Sequence, residues 1–246
     1  IGGISATNTQ PGYCHIYGLR GNIGAATWTC TNNTIGGIIA NSINNTSTTN
    51  VSLVNGIFNS SFTGTFSGNI IRNMTVSGGT GATFPMVGIN IDAPAGNQTI
   101  SQNTISSLTY TNAGVTSSVI GIRFAGTGSA NLVERNFLHS LSNSSGINTA
   151  VISGISAVAG TTVYRNNIIS ISAATTGASV FGFHDTGGTN NLYHNTVSLT
   201  GNTSAALQDA AYYSTSVSTR NIRNNILSNV RTGGSAAHHA YNITNT

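Results

Sequence analysis

An asparagine recurs about once every thirty residues along this chain, each time inside a similar apolar phrase. In the clearest copies Ile, Leu or Val stands three residues before the asparagine and again two and five residues after it, as around Asn103. A fixed period of this size predicts a repeat architecture, because one such unit cannot bury its own apolar face. The asparagines that occupy this position of the phrase are Asn33, Asn73, Asn103, Asn136, Asn166, Asn195 and Asn225.

A second phrase runs in step with the first and consists of a small residue followed by an apolar one, usually Gly-Ile. Glycine inside a strand marks a bend or a close approach of neighbouring chains, so we expect one of these at each copy. The small residues of this phrase are Gly18, Gly56, Gly88, Gly121, Gly154, Gly182, Ala211 and Ala240.

The apolar phrases predict short β-strands, since they are rich in Ile and Val and are bounded by Gly, Ser, Asn and Thr. No stretch carries a helical period, which argues against βαβ units. Stacking such units in parallel register buries a continuous core. We therefore predict an all-β fold, a right-handed parallel β-helix of about seven to eight coils that forms one domain over residues 1–246.

The asparagines are expected to form a ladder along this solenoid. Equivalent residues of stacked strands lie about 4.7–4.9 Å apart. An amide side chain carries both a donor and an acceptor, so it can bond to its neighbours one coil above and below. Asparagine also tolerates the left-handed backbone that a sharp turn requires.

Composition favours an extracellular protein. Hydrophobic residues make up 38% of the chain but charged residues only 5%, and there is no lysine. Soluble domains usually carry about 25% charged residues, so Ser, Thr, Asn and Gly must supply the solubility here. The same composition is also typical of disordered tracts, but those lack periodic apolar positions.

Charge and hydropathy exclude two classes of partner. The net charge of +4 comes from eight arginines and four acidic residues and is not a nucleic-acid signature. No run of about 18 apolar residues is present, so no membrane-spanning helix is predicted.

Two cysteines, Cys14 and Cys30, fall in the first full repeat. A disulfide between them would staple the first coil and would fit an oxidising compartment. The alternative is two buried free thiols that fill small positions in the core. No pair of His or acidic residues lies near either cysteine, so we predict no metal site and no cofactor.

The Gly-Ile strand with Asn-x-Ile-x-x-Ile turns resembles the right-handed parallel β-helix repeats of secreted proteins, over nearly the whole chain. It is most similar to the Asn/Ser/Thr-rich repeat arrays of large bacterial cell-surface proteins, notably type IX secretion substrates and adhesins of Bacteroidota. That resemblance implies an extracellular, non-catalytic surface module. Pectate lyases and polygalacturonases share the architecture and the ladder, so the fold alone does not decide the function.

The two ends suggest a larger assembly. Residues 1–4 repeat residues 35–38, which places the start just after a missing ladder asparagine, and Ala240-Tyr241 begins a new strand. Open β edges invite pairing. We expect either a segment of a longer repeat array or a fibre subunit whose partner is another copy stacked end to end.

The acidic residues and histidines give no catalytic pattern. Asp92 and Asp185 lie three coils apart, or roughly 14 Å, outside the separation of glycosidase carboxylates. Glu134 is predicted to pair with a neighbouring arginine, and Asp209 is expected to stand alone. His184 and Asp185 are adjacent on a strand, so they should point to opposite faces. The remaining histidines fall at unrelated positions of different coils.

One surface hypothesis comes from the residues directly before the asparagines. Several of them are arginine, with tyrosines close by, and stacking would align them along one face. Arginine pairs with carboxylates and sulfates, and tyrosine rings supply rigid apolar faces. We predict a stripe that binds an acidic or neutral glycan, made of Arg72, Arg135, Tyr164, Arg165, Tyr193, His194 and Arg223. The alternative is that exposed turn positions simply accept arginine.

The sequence therefore predicts a structural or adhesive solenoid, such as a stalk, a filament subunit or a polymer-contacting module. Two alternatives stay open. One is a polysaccharide-active lyase or hydrolase whose catalytic residues the pattern does not reveal. The other is an ice-binding protein, although the rows Thr27/Thr29 and Thr63/Thr65 do not recur in later coils as a flat threonine array would require.

Overall fold

The computed structural model describes residues 3–7, 13–22, 24, 26–48, 51–78, 85–92, 95–112 and 117–245. In these ranges the secondary structure is all-β, and parallel strands stack into a solenoid with three long sheets, which we name A, B and C. Each coil visits sheet B, then C, then A. The described chain contains no helix long and apolar enough to cross a membrane.

Sheet A follows the ladder asparagines. Its nine strands are Ile4–Ala6, Thr34–Ile35, Ile43–Asn45, Ile70–Val76, Thr104–Tyr110, Phe137–Asn143, Ile168–Ser172, Thr196–Thr200 and Ile226–Asn229. A separate two-stranded pair joins Asn202–Thr203 to Thr232–Gly233.

Sheet B carries the Gly-Ile phrase. Its eight strands are Tyr13–Gly21, Val51–Asn59, Met86–Ile91, Ser118–Phe124, Ala150–Ala157, Ala178–Asp185, Asp209–Ser214 and His238–Ile243. Sheet C leads into the ladder, and its seven strands are Thr27–Thr31, Thr63–Ser67, Gln98–Ser101, Asn131–Glu134, Thr161–Arg165, Thr189–Tyr193 and Arg220–Arg223.

The turn from sheet C to sheet A holds the asparagine ladder. From Asn69 onward, each ladder side chain accepts, through its Oδ1, hydrogen bonds from the backbone N and the Nδ2 of the asparagine in the preceding coil, at 2.8–3.1 Å. The members are Asn33, Asn69, Asn103, Asn136, Asn167, Asn195 and Asn225. About six turns lie along this ladder, slightly fewer than the seven to eight coils predicted.

Two of the predicted ladder residues are wrong. Asn73 lies within sheet A and donates to the Gly37 carbonyl, and the ladder place of its coil belongs to Asn69. Asn166 is exposed and precedes the true member, Asn167. The reliable marker of a ladder asparagine is the core residue three positions before it. These residues form one register column: Cys30, Phe66, Ile100, Val133, Tyr164, Leu192 and Ile222.

The residue before each ladder asparagine turns the chain. It adopts a left-handed backbone with φ between 53° and 66° at every level. Asparagine and glycine tolerate this conformation better than other residues, but arginine, glutamine and histidine also occupy it here. This turn column is Asn32, Gly68, Gln102, Arg135, Asn166, His194 and Asn224.

The glycines of the second phrase permit close packing of sheet B on sheet A. A Cβ on Gly121 would lie 2.3 Å from Leu138 Cδ2 and 2.6 Å from the Gly154 carbonyl oxygen. The corresponding glycines of the other coils meet the sheet A core in the same way. The predicted tight packing is therefore confirmed, and the strand kinks inward at each glycine.

The core is one continuous apolar cluster inside the coils, rich in Ile, Val and Leu. Its polar interruptions include Arg231, only 3% exposed, and Asp185 and Asp209, each 1% exposed. Sheet C carries a threonine column through Thr29 and Thr65 that continues one coil further than predicted, to Thr99, and ends at Leu132.

The disulfide prediction is wrong, because Cys14 and Cys30 are both free. Cys14 lies on a sheet B strand and is half-buried. Cys30 lies on a sheet C strand in the core column that precedes the ladder, and burial raises the pKa of its thiol to about 11. A small apolar residue would fill that position as well, which explains why the sequence pattern alone did not separate the two possibilities.

Candidate functional site

The residues of the predicted arginine stripe do not lie together in the structure. Arg72 lies on sheet A, in register with Ser106 and four residues after the turn residue Gly68. Tyr164 is fully buried in the core, between the rings of Phe124 and Phe183. Both were misplaced because they were counted back from Asn73 and Asn166, which are not ladder residues.

Arg135 and Arg165 converge on one carboxylate. Glu134 is 6% exposed and accepts hydrogen bonds from Arg135 Nη2 and from Arg165 Nε, the latter at 2.7 Å. Burial acts to raise the pKa of Glu134, but the two arginine hydrogen bonds and charges outweigh it and hold the pKa below its usual value. The predicted pairing of Glu134 with arginine is confirmed, and these arginines are not free to bind an anion without competing with it.

The rest of the stripe forms one short register column. Glu134, Arg165, Tyr193 and Arg223 follow one another in successive coils of sheet C. The Tyr193 hydroxyl accepts from Asn221 Nδ2 at 2.8 Å, and His194 is exposed in the turn column. The column mixes charges of both signs, so it offers no uniform cationic track.

All four acidic residues of the chain are ion-paired. Asp92 pairs with Arg123 at 3.4 Å, and Asp185 lies 3.5 Å from Arg220. The other ion pairs join Glu134 to Arg135 and Arg165, and Asp209 to Arg231.

The expectation that Asp209 stands alone is wrong. Its carboxylate accepts from Arg231 Nε at 2.7 Å and lies 3.2 Å from His238 Nδ1. Arg231 is buried between coils and also donates to the backbone carbonyls of Ala173 and Thr200. The pair therefore binds successive coils together inside the solenoid.

His184 and Asp185 point to opposite faces of sheet B, as predicted. Asp185 faces inward, where its carboxylate accepts from the hydroxyls of Tyr212 and Ser214. His184 faces outward and packs against the rings of Phe181 and Tyr213. The two side chains therefore do not form a catalytic pair.

The outer face of sheet B forms a second, non-core layer. At each inward kink the glycine and the next residue both face the core, so the residues on either side of them, such as Asn55 and Phe58, face outward. Val87, Ile120 and Phe181 are buried yet lie outside the core cluster. Together these positions form a layer of side chains outside the core that runs parallel to the solenoid axis, and we call this layer the sheet B groove.

Two register columns line this groove. The first holds Tyr17, Asn55, Val87, Ile120, Ser153, Phe181, Ala210 and His239. The second holds Arg20, Phe58, Asn90, Arg123, Ser156, His184, Tyr213 and Asn242.

Aromatic rings cluster in the early and late coils of the groove. Tyr17 and Phe58 pack edge to face with centroids 5.5 Å apart, and the Arg20 guanidinium lies 4.9 Å from the Tyr17 ring centre. In the later coils Phe181 stacks on Tyr213 with centroids 4.5 Å apart and an interplanar angle of 10°. Burial lowers the pKa of the adjoining His184 to about 4, so this cluster is uncharged near neutral pH.

A cavity of about 370 Å³ opens beside the early ring cluster. Tyr17, Leu53, Phe58 and Pro85 give it apolar walls, and its polar lining is His15, Asn90, Asp92 and Arg123. Arg123 Nη1 donates to Asn90 Oδ1 at 3.2 Å and to Asp92 Oδ1 at 3.4 Å. This size falls within the roughly 300–1,000 Å³ that small-molecule sites occupy.

A second cavity of about 460 Å³ lies on the outer face of sheet A. Phe137 and His139 line it with rings 4.5 Å apart, together with serine and threonine hydroxyls from neighbouring strands. It contains no charged pair and no buried polar atom without a partner among the described residues. The sheet B groove is therefore the more developed site.

The sequence pattern did not reveal the groove. Its positions flank the Gly-Ile phrase, one residue before the glycine and two residues after it, and their identities change from coil to coil. The usable signal was the aromatic content at these offsets, at Tyr17, Phe58, Phe181 and Tyr213.

Comparisons with known proteins supply no assignment, since no protein-family model, no curated protein and no solved structure matches the chain. Within the described ranges, no group of three or more His, Cys, Asp or Glu side chains is placed to hold a metal ion. The class that the fold defines is a parallel β-solenoid with an asparagine ladder.

Proposed function

We propose that this chain is a non-catalytic, extracellular structural or adhesive β-solenoid that contacts a polysaccharide at a cell surface, as a stalk, filament or adhesin module does. The observation that carries this proposal is the sheet B groove, in which aromatic, amide and arginine side chains stack along the axis. A long polymer matches a long groove, because each stacked coil adds contacts at the strand spacing of about 4.8 Å.

The ion pairs support a binding role over a hydrolytic one. Polysaccharide hydrolysis requires two carboxylates that can act as acid and base or nucleophile on the same bond. Here each of the four carboxylates contacts an arginine, and two of them are 1% exposed. Burial acts to raise the pKa of Glu134, but Arg165 and Arg135 outweigh it and hold the pKa below its usual value, which opposes proton donation by this residue.

A rigid scaffold also suits a structural role. The ladder amides are hydrogen-bonded from Asn33 to Asn225, and the parallel sheets run beside them through the same coils. A continuous hydrogen-bonded column of this kind resists local opening, because each side chain holds the coils on both sides.

The test is to incubate the purified chain with soluble and insoluble polysaccharides, and to measure both retention of protein and release of new chain ends. We expect retention on at least one polymer with no accumulation of shortened products. Release of products in proportion to protein concentration would contradict the non-catalytic role. Failure to be retained on any surface polysaccharide would contradict the contacting role.

A further inference from the structure

We infer that the sheet B groove binds a neutral, linear polysaccharide lying along the solenoid axis, and that the 370 Å³ cavity at Tyr17 and Phe58 holds one of its sugar rings. This inference rests on the proposed contact with a polysaccharide and assigns that contact a site and a ligand class. Its support comes from four features of the groove.

The first feature is the chemical division of the cavity. A pyranose ring has apolar C–H faces and a rim of hydroxyls, each of which can donate and accept. The walls formed by Tyr17, Leu53 and Phe58 match the faces, and rigid aromatic rings provide contact area at low entropic cost. The paired Arg123 and Asp92 match the rim, since one donates and the other accepts.

The second feature is polar capacity that the protein leaves unused. Asn55 is 1% exposed and lies beside Tyr17 in the groove register. Its Oδ1 accepts from Asn90 Nδ2 at 3.4 Å, while its own Nδ2 has no hydrogen-bond partner. Buried polar groups are normally paired, and Asn90 lines the cavity, so the unpartnered Asn55 Nδ2 points to a ligand that supplies an acceptor beside Asn90.

The third feature is the pair of aromatic clusters. Tyr17 and Phe181 occupy the same column five strand steps apart, or about 24 Å at the usual spacing. A chain of sugars laid along the groove would meet both clusters. Binding at two linked places raises the overall affinity well above that at either one.

The fourth feature is charge. An acidic polysaccharide needs cations at regular intervals, but the second column carries only Arg20 and Arg123, three levels apart. Arg123 is compensated by Asp92, and the following positions of the column are Ser156, His184 and Tyr213. The pKa of His184, about 4, keeps that side chain neutral. A neutral polymer therefore fits the groove better than an acidic one.

The experiment is calorimetric titration of the chain with cellohexaose, mannohexaose, xylohexaose and hexagalacturonate. The variants are Tyr17→Ala/Phe58→Ala, which removes the early cluster, and Asp92→Asn, which changes an exposed rim carboxylate. The matched control is Phe137→Ala, an exposed aromatic on sheet A that lies outside the groove. Thermal melting of each variant shows whether it remains folded.

We expect one of the neutral hexasaccharides to bind the parent chain, at least tenfold weaker binding by Tyr17→Ala/Phe58→Ala, and several-fold weaker binding by Asp92→Asn. Phe137→Ala should bind like the parent. A trisaccharide of the same sugar is too short to span the distance of about 24 Å between the two clusters, so it should bind at least tenfold more weakly than the hexasaccharide.

Three results would overturn the inference: unchanged binding by both groove variants, loss of binding by Phe137→Ala alone, or binding of hexagalacturonate in preference to all neutral sugars. Absence of any hexasaccharide binding would also overturn it. These failures are distinct from failure of the proposed function, which is decided by retention on polymers and by product release.

Discussion

The asparagine ladder and the sheet B groove both consist of side chains stacked in register along the solenoid. They differ in whether their buried polar groups are hydrogen-bonded. Each ladder asparagine from Asn33 to Asn195 donates a side-chain hydrogen bond to the asparagine of the next coil. In the groove, Asn55 Nδ2 and Ser153 Oγ are buried with no partner. The ladder repeats one residue type, whereas the groove changes its residue at each level.

This difference separates the two tasks of the chain. Repetition of one amide satisfies the same bonds at each turn and so specifies the fold. Unsatisfied polar atoms cost stability, so a position that retains them is suited to a ligand. We therefore expect substitutions in the two columns to affect stability with opposite signs.

The largest effect should come from the middle of the ladder. Asn167→Ala removes the acceptor for Asn136 and the donor to the Val133 carbonyl and to Asn195. At roughly 1–3 kcal/mol for each orphaned buried group, we expect a loss of about 3 kcal/mol in unfolding free energy. Denaturant unfolding measures this loss.

The adjoining Asn166 provides the matched control. It is exposed and has φ of 54°, which glycine adopts without strain. Asn166→Gly should therefore change stability by less than about 0.5 kcal/mol. Equal losses for Asn166→Gly and Asn167→Ala would contradict the assignment of the ladder to Asn167.

The next largest effect concerns the glycine that shapes the groove. In Gly121→Ala the new methyl group would lie 2.3 Å from Leu138 Cδ2 and 2.6 Å from the backbone oxygen of Gly154 in the next strand of sheet B, so the backbone of sheet B must shift. Overpacking of this kind costs about 2 kcal/mol. Gly3→Ala, where the nearest atom would be 3.6 Å away, is the control in the same melting experiment and should leave the transition nearly unchanged.

Acid should weaken the late coils through His184. Burial lowers its pKa from 6.5 to about 4 in the folded chain. Between these values the unfolded chain binds the proton and the folded chain does not, so stability falls as pH drops from about 6.5 towards about 4. His15 and His139 also have pKa values lowered by burial and act in the same direction.

In His184→Phe the ring remains in the stack with Phe181 and Tyr213 but cannot titrate. The unfolding free energy of this variant should fall less than that of the parent over that pH range, and the difference should be on the order of 1–2 kcal/mol. His194→Asn, at an exposed turn position that asparagine accepts, is the control. Identical pH profiles for the parent and His184→Phe would show that His184 is not kept neutral by burial.

The smallest effect has the opposite sign. Ser153→Ala removes a buried hydroxyl that has no partner, so it should leave stability unchanged or raise it by up to about 1 kcal/mol. A clear loss of stability in thermal unfolding would show that Ser153 is satisfied within the fold.

The fold was predictable because its signals are periodic. Five of the seven ladder asparagines and the packing role of the glycines follow from spacing alone, whereas Asn69 and Asn167 were missed because neighbouring asparagines compete for the same phrase. The groove was not predictable in that way. Its two columns can be recognised only in the structure, because the inward kink at each glycine places residues such as Tyr17 and Arg20 on the same outer face.

The buried ion pairs could not be predicted from the repeat pattern of the sequence either. Asp209 and Arg231 are 22 residues apart, and nothing in their spacing indicates that they meet inside the coil. The arginines that the sequence placed in one stripe divide between ion pairs and separate sheets for the same reason. Such contacts depend on the length of each loop, which varies from coil to coil.

The most direct measurement is the experimental structure of the chain bound to the neutral hexasaccharide that it prefers. It should show a sugar ring in the cavity beside Tyr17 and Phe58, with its hydroxyls hydrogen-bonded to Asn90, Asp92 and Arg123 and the oligosaccharide running towards Phe181. Density for the sugar on sheet A at Phe137, or on sheet C at Arg165 and Tyr193, with an empty sheet B groove, would contradict it.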